Sequence, residues 1–357
     1  MRVDRLTLRN FTAFEAADLT FSPGLNVFIG ANGTGKSHIL KVLFGITRPM
    51  LIAGSLARDN THWDLGEMLS SAILQKFETL FRPEATHSVL EPLIRHGAQT
   101  TDISAYGDFG TTVLRFGATN VKTQVPRLRA VDGLSVFVPP SEILSMYPGF
   151  VAAYERRELS FDETFRDLCV DLSANPLRSV SPPALAEVVA KLDDAVGGKT
   201  ILHGDRFYVA LSEEWLLEAP LLAEGLRKLA TIAHLVRNGS LVQGSVLFWD
   251  EPEASLNPNL IPAVAQALLA LAGAGIQVFV ATHDFLLSNE LSLAAEYETE
   301  DARRAAPKFF AVSKANRTAA AEVEWGATLA DLRHNPILEE FAAHYDREHR
   351  LFAGEPE

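Results

Sequence analysis

The sequence predicts an α/β fold: a mostly parallel sheet flanked by helices, with an antiparallel β portion and an inserted helical lobe. Three observations predict it. A short apolar strand, Leu25 to Ile29, runs straight into a glycine-rich turn and then into helix-compatible sequence. Two more apolar strands, Val246 to Trp249 and Val278 to Ala281, lie on either side of a helical stretch, and each ends on polar residues. Strands that alternate with helices in this way are joined by crossovers, which makes neighbouring strands parallel.

The elements follow in order. Leu6 and Leu8, then Leu19 and Phe21, alternate with polar residues and read as two paired strands. Ser22-Pro23-Gly24 is a turn, and His38 to Phe44 is apolar and helix-compatible. Asp64 to Phe81 reads as a helix, with Leu65, Met68, Leu69, Ile73 and Phe77 near helical spacing. Thr111 to Phe116 and Leu134 to Val138 read as strands, the second stopped by Pro139-Pro140. Phe161 to Leu172 and Pro183 to Leu192 read as helices, and Phe207 to Leu211 as a strand. Leu226, Leu229, Ala230, Ala233 and Val236 share one face of a helix that ends at Arg237-Asn238-Gly239. The tail carries strands at Phe309 to Val312 and Ala321 to Trp325, and a helix near Ile337 to Tyr345. No sustained heptad pattern and no internal repeat is present. The expected partition is a first core segment (1–50), an inserted helical and mixed lobe (51–200) and a second core segment (201–357).

With 357 residues, 47% of them hydrophobic and 22% charged, the chain can bury a sizeable core. Its net charge of −13 argues against a uniformly basic nucleic-acid surface. The one cysteine, Cys169, allows neither an internal disulfide nor a cysteine-based zinc site, which fits a reducing cytoplasm. The N-terminus reads as a strand and not as a signal peptide. Residues Ala263 to Ala281 carry no charge and reach the length of a membrane span. Gly273, Gly275 and Gln277 interrupt them, so they are expected to form a buried helix, a glycine break and a buried strand, with no membrane association and a cytoplasmic location.

Gly30-Ala31-Asn32-Gly33-Thr34-Gly35-Lys36-Ser37 matches the phosphate-binding loop pattern at every fixed position, between a strand and a helix. The glycines let backbone N–H groups point at phosphate oxygens, Lys36 reaches the β- and γ-phosphates, and the Ser37 hydroxyl can ligate Mg²⁺. His38 adjoins this nucleotide-binding run. Asp250 and Glu251 emerge at the C-terminal end of a buried strand, where open α/β sheets bind ligands. Asp250 is placed to hold the Mg²⁺ shell, and Glu251 to act as general base on the attacking water. His283 ends a third strand, where it can reach the γ-phosphate of ATP or the attacking water. Glu251, His283 and Lys36 are therefore the expected catalytic set.

These pieces, in this order, resemble an ABC-type P-loop ATPase of the RecF/SMC branch. Within it the chain resembles compact bacterial AAA family ATPases related to the OLD-family ATPases and to the PtuA ATPase of Septu-type phage defence. The resemblance is carried by Leu6-Thr7-Leu8-Arg9-Asn10-Phe11, by Asp250-Glu251-Pro252-Glu253-Ala254-Ser255-Leu256-Asn257-Pro258 and by His283. It implies an ABC-type head that hydrolyses Mg-ATP, forms a homodimer around ATP, and acts on a separate effector such as a nuclease, or on DNA. The family's signature element offers a serine and a glycine at a helix start to the other subunit's γ-phosphate. Here Ala223-Glu224-Gly225 stands at that place, so Gly225 is the expected contact in trans and alanine replaces the serine. Arg9, Asn10 and Phe11 either touch the nucleotide or form a surface turn. Ser141 or Glu142 either senses the metal and γ-phosphate or caps a helix. Arg127, Arg129, Arg156 and Arg157 mark a nucleic-acid patch or plain solvated charge. OLD-type proteins continue into a metal-dependent nuclease, and no Asp-x-Asp pair follows His283, so this chain is not expected to be a nuclease. The competing readings are a nucleotide switch without turnover, a transporter motor and a DNA-repair clamp.

Overall fold

The computed structural model describes residues 1–57, 65–82, 90–117, 120–125, 133–180, 183–212 and 214–353. The chain opens with strands β1 (Val3–Phe11) and β2 (Phe14–Thr20), paired antiparallel with Leu6 opposite Leu19. Strand β3 (Leu25–Ile29) is buried at every residue. Its one polar side chain, Asn26, is satisfied by Ser22, whose N–H it accepts at 2.7 Å and whose carbonyl it donates to at 3.0 Å. Helix α1 (Lys36–Ala57) runs well past the apolar stretch expected to end at Phe44 and continues through Pro49. It packs against helix α2 (Leu65–Phe81). The expected start of α2 at Asp64 lies outside the described residues.

Strands β4 (Thr100–Gly107), β5 (Gly110–Gly117) and β6 (Val121–Gln124) extend the first hairpin into a five-stranded antiparallel sheet, ordered β2-β1-β4-β5-β6. Strand β7 (Ser135–Val138) leaves it and joins the parallel sheet beside the strand that ends at Asp250. Residues 51–200 thus feed strands into both sheets, alongside helices α3 (Phe150–Glu155), α4 (Glu163–Leu172) and α5 (Pro183–Val196). A small meander follows, of β8 (Lys199–His203), β9 (Arg206–Ala210) and β10 (Leu216–Glu218).

Helix α6 (Glu224–Arg237), strand β11 (Val246–Asp250), helix α7 (Ile261–Gly273) and strand β12 (Gln277–Thr282) come next. They lead into α8 (Phe285–Glu296), α9 (Glu300–Ala305), β13 (Lys308–Lys314), β14 (Ala321–Gly326) and α10 (Pro336–Ala353). The six-stranded sheet has the order β14-β13-β3-β12-β11-β7, parallel except for β14. The uncharged stretch 263–281 is divided between α7 and β12, and among the described residues no helix is long and apolar enough to cross a membrane.

The parallel sheet is buried on both faces, which is why its strands read as continuous apolar runs. Val27, Leu247, Trp249, Val278 and Val280 enter one core, with α4 to α7. Phe28, Phe248, Phe279 and Phe310 enter the other, with α1 and the antiparallel sheet. Gln277, 3% exposed, stitches the two sheets: it accepts the Val3 N–H and donates to Val3 O, each at 2.8 Å. Buried charges on α1, α2 and α4 are paired, Arg48 with Asp171 at 2.7 Å and Lys76 with Asp167 at 2.8 Å. A lone buried charge there would be costly, so these pairs fix α1, the helix that begins at Lys36, against the helical layer.

Candidate nucleotide site

Three adjacent strands end together. In β3, Ile29 lies opposite Thr282 of β12, and in β11, Asp250 lies opposite Ala281 of β12. The loops that leave these ends carry Gly30–Ser37, Glu251–Asn257 and His283. The first loop curls back on itself, with Thr34 Oγ1 donating to Ala31 O at 3.0 Å. Gly35 has φ +108°, and a Cβ there would meet the Phe14 ring at 2.7 Å, so no other residue fits. Ala31, Asn32 and Gly33 are exposed. Lys36 is buried and its Nζ donates to Gly30 O at 2.6 Å and Ala31 O at 2.9 Å. Burial lowers the pKa of its ammonium, opposed by the fields of Asp250, Glu251 and Glu253.

Asp250 is 4% exposed, and burial pushes its pKa up to about 6 against a hydrogen bond from Ser37 and the charges of Lys41 and Lys36. Its Oδ1 is buried without a partner. A carboxylate oxygen left unpaired beside a serine hydroxyl fits a hard divalent cation, so Ser37 and Asp250 are the residues that would hold Mg²⁺. Glu251 follows with φ +49°, a left-handed backbone that a non-glycine residue rarely takes and that turns its side chain out of the strand line. Its Oε1 lies 3.3 Å from His283 Nδ1. The structure therefore brings Lys36, Ser37, Asp250, Glu251 and His283 to one end of the sheet.

Comparisons with known proteins match two segments of the chain and its fold. Residues 151–289 match the family described as "AAA domain, putative AbiEii toxin, Type IV TA system", and residues 1–50 match "AAA ATPase domain". The DNA replication and repair protein RecF of Magnetococcus marinus is 51% identical over 43 residues, and that of Lacticaseibacillus casei 46% identical over 44. These matches span 12% of this chain and 11–12% of each relative's length. In fold, the chain is similar to an Smc head bound to the C-terminal winged-helix domain of ScpA (TM-score 0.54, 15% identity, 92% of this chain and 98% of that one). It is also similar to the Smc head of Pyrococcus furiosus bound to the C-terminal domain of ScpA (TM-score 0.52, 14% identity, 96% and 99% of the two chains). The two matched segments carry the phosphate-binding loop and the Asp250 to His283 region, and together these findings support an ABC-type P-loop ATPase of the RecF/SMC branch.

Several details depart from what the sequence led one to expect of such an ATPase. Phe11 does not face a ligand: it is fully buried and packs edge-on against Phe81, with ring centroids 5.7 Å apart. His38 lies edge-on to both Phe11 and Phe81, and its Nδ1 is 3.0 Å from Thr12 Oγ1. Burial lowers its pKa to about 4, so it stays neutral and brings no charge to a phosphate. The Asn10 carbonyl is taken by the Arg95 N–H at 2.8 Å and by Thr101 Oγ1, which makes this segment a structural corner. Glu142 is buried, forms an ion pair with Arg227 Nε of α6 at 3.0 Å and accepts the Ser145 N–H at 3.2 Å. Gly225 is buried in the chain itself, because a Cβ there would meet Leu256 at 2.6 Å and Ser255 O at 2.8 Å. Ala223 is exposed at the N-cap of α6 and provides no side-chain cap. Arg156 and Arg157 are exposed, whereas Arg127 and Arg129 lie outside the described residues.

Two residues were not singled out from the sequence. Lys228, 1% exposed, donates from Nζ to Glu251 O at 3.1 Å and so ties α6 to the loop that carries Glu251. Burial lowers its pKa, while Glu253, Glu224, Glu251 and Asp250 oppose the shift. Glu253 is buried beneath His283. Neither residue shows periodicity or a motif spacing of its own; only the three-dimensional structure reveals that these charges are inside.

Proposed function

We propose that the chain is a Mg²⁺-dependent ATPase. Two copies close around two ATP molecules, each site joining the phosphate-binding loop of one copy to the α6 start of the other. The observation that carries the reading is the gathering of Lys36, Asp250, Glu251 and His283 at the ends of three adjacent strands. Lys36 exchanges its loop carbonyls for the β- and γ-phosphates. Ser37 and Asp250 hold Mg²⁺, which when bound neutralises charge on the phosphates. Glu251 polarises the attacking water, and His283 fixes the γ-phosphate. The phosphate loop's exposed Ala31, Asn32 and Gly33 leave room for a second copy to approach.

The cycle of closing and opening is used on a partner, in our reading a nuclease or other effector of anti-phage defence. The two Smc heads of similar fold, each bound to a ScpA domain, make a head that carries a separate protein a natural model. The similarity to RecF favours a second reading, a DNA clamp of repair. Phosphate release and light scattering, each with and without Mg-ATP, test the first reading: turnover and ATP-dependent doubling of mass are expected, and a monomer in all conditions would overturn the sandwich. DNA-stimulated turnover that falls steeply with salt would favour the clamp.

A further inference from the structure

Glu253 has no role in the site as assembled so far, yet it is built into it. The side chain is 7% exposed in its surroundings. Its Oε1 accepts the Thr282 hydroxyl at 2.7 Å and the His283 backbone N–H at 3.2 Å. The same oxygen stands 3.6 Å from His283 Nδ1, against 3.3 Å for Glu251 Oε1. Its Oε2 is buried with no partner. Burial raises the Glu253 pKa, and the Thr282 and His283 hydrogen bonds lower it. One ring N–H therefore has two carboxylates within reach. A carboxylate that faces an imidazole nitrogen at this range is drawn toward it. Glu251, drawn to the imidazole, is not free for the water that the ATPase reading assigns to it.

We propose that Glu253 is a positioning residue that holds His283 and takes over its Nδ1–H when Glu251 turns to the attacking water. The inference rests on the ATPase reading. No covalent bond changes in the exchange; one hydrogen bond is traded for another. An approach of roughly 0.7 Å brings Glu253 to ordinary hydrogen-bond distance from Nδ1. The backbone of His283 is already pinned to the same carboxylate, so the ring keeps its orientation throughout. Glu251 is thereby free to turn to the water, and Nε2 remains available to the γ-phosphate.

Glu253→Gln retains an amide oxygen for Thr282 and the His283 backbone but removes the charge that holds the ring. Its kcat is expected to fall about tenfold, the worth of one charge-assisted hydrogen bond, with KM within about twofold. Because Glu253 acts through His283, the Glu253→Gln change should not slow a His283→Ala protein further. A further slowing by the same factor would show a merely structural role and overturn the proposal. The ring can also be read without turnover, by long-range proton–nitrogen NMR of His283. The hydrogen-bonded Nδ1–H should persist in Glu251→Ala and vanish in Glu251→Ala/Glu253→Ala, where no acceptor is left. Its loss in Glu251→Ala alone would overturn the exchange. A parent protein that releases no phosphate would defeat the ATPase reading, while the NMR result would still decide the contact.

Discussion

Two helices in this chain begin at a glycine beside a proposed phosphate position, and they are built in opposite ways. At the start of α1, Gly35 takes φ +108° and the loop before it leaves Ala31 to Gly33 exposed. At the start of α6, Gly225 has no unusual φ and is instead pressed on Ser255 and Leu256 of its own chain. The first glycine is needed for its backbone as well as for its missing side chain, which would meet Phe14, and the second for its missing side chain alone. The first helix start follows a loop exposed at Ala31, Asn32 and Gly33, and a helix N-terminus suits an anionic ligand. The second is fastened to the loop that carries Glu251, through Gly225 on Ser255 and Leu256 and through Lys228 Nζ on Glu251 O, and to the segment after β7 through Arg227 on Glu142. A helix held in this way cannot shift without moving the loop that carries Glu251, so closing of the α6 start on a partner's nucleotide would be felt at Glu251.

The largest effects are expected where the chain works alone. Lys36→Ala should lower Mg-ATP affinity by on the order of a hundredfold or more, since no other lysine in the loop can replace its ammonium. Equal affinity in titration calorimetry would remove the phosphate-loop half of the comparison. Glu251→Gln leaves shape and charge at Asp250 intact, so binding should persist while phosphate release slows about a hundredfold or more. Light scattering of this protein with Mg-ATP should show a lasting dimer. A dimer that dissociates at the parent's rate would mean that hydrolysis does not control opening.

What could be read in advance followed from range in sequence. Gly30 to Ser37 is a local motif whose strand and helix are its immediate neighbours, and β3, β11 and β12 are apolar without interruption because both faces are covered. Strand β4 was missed: only Thr101, Ile103 and Ala105 face inward, and what holds it is pairing with β1, nearly a hundred residues away. Phe11 was misplaced for a related reason. Left-handed Asn10 (φ +52°) and Thr12 (φ +45°) bracket it, so its side chain turns into the core with Leu6 and Leu8 despite the wrong parity. The packing of Gly225 on Leu256 could not be read in advance, because the two residues are far apart in sequence and share no motif.

Gly225→Ala separates the two uses of glycine. If Gly225 is there for close approach, the added methyl forces α6 from Leu256 and Ser255, at a cost of about 1–3 kcal/mol in stability. The midpoint of denaturant unfolding should fall, and ATP affinity of the single subunit should not change, because Lys36 and its loop are untouched. An unchanged midpoint together with loss of the ATP-dependent dimer would reverse the comparison and return Gly225 to a role in trans.

The smallest effect concerns the residue beside it. Ala223 has φ −57° and ψ 141°, which suits an N-cap, yet its methyl leaves the first N–H groups of α6 without a side-chain acceptor. Ala223→Ser supplies one. A hydroxyl in that place should stabilise the chain by about 1 kcal/mol, since it can accept from the second or third N–H of the helix. Ala223 is exposed, so the hydroxyl meets no steric obstacle. The same hydroxyl can donate to a phosphate oxygen from a second copy, and the ATP-dependent dimer should then live longer. The two outcomes are independent. Higher stability with an unchanged dimer lifetime would leave α6 an ordinary capped helix, and the second phosphate contact would have to come from elsewhere. A longer-lived dimer in Ala223→Ser, most visible in combination with Glu251→Gln, would place the α6 start against the partner's nucleotide even though its glycine is occupied in its own chain.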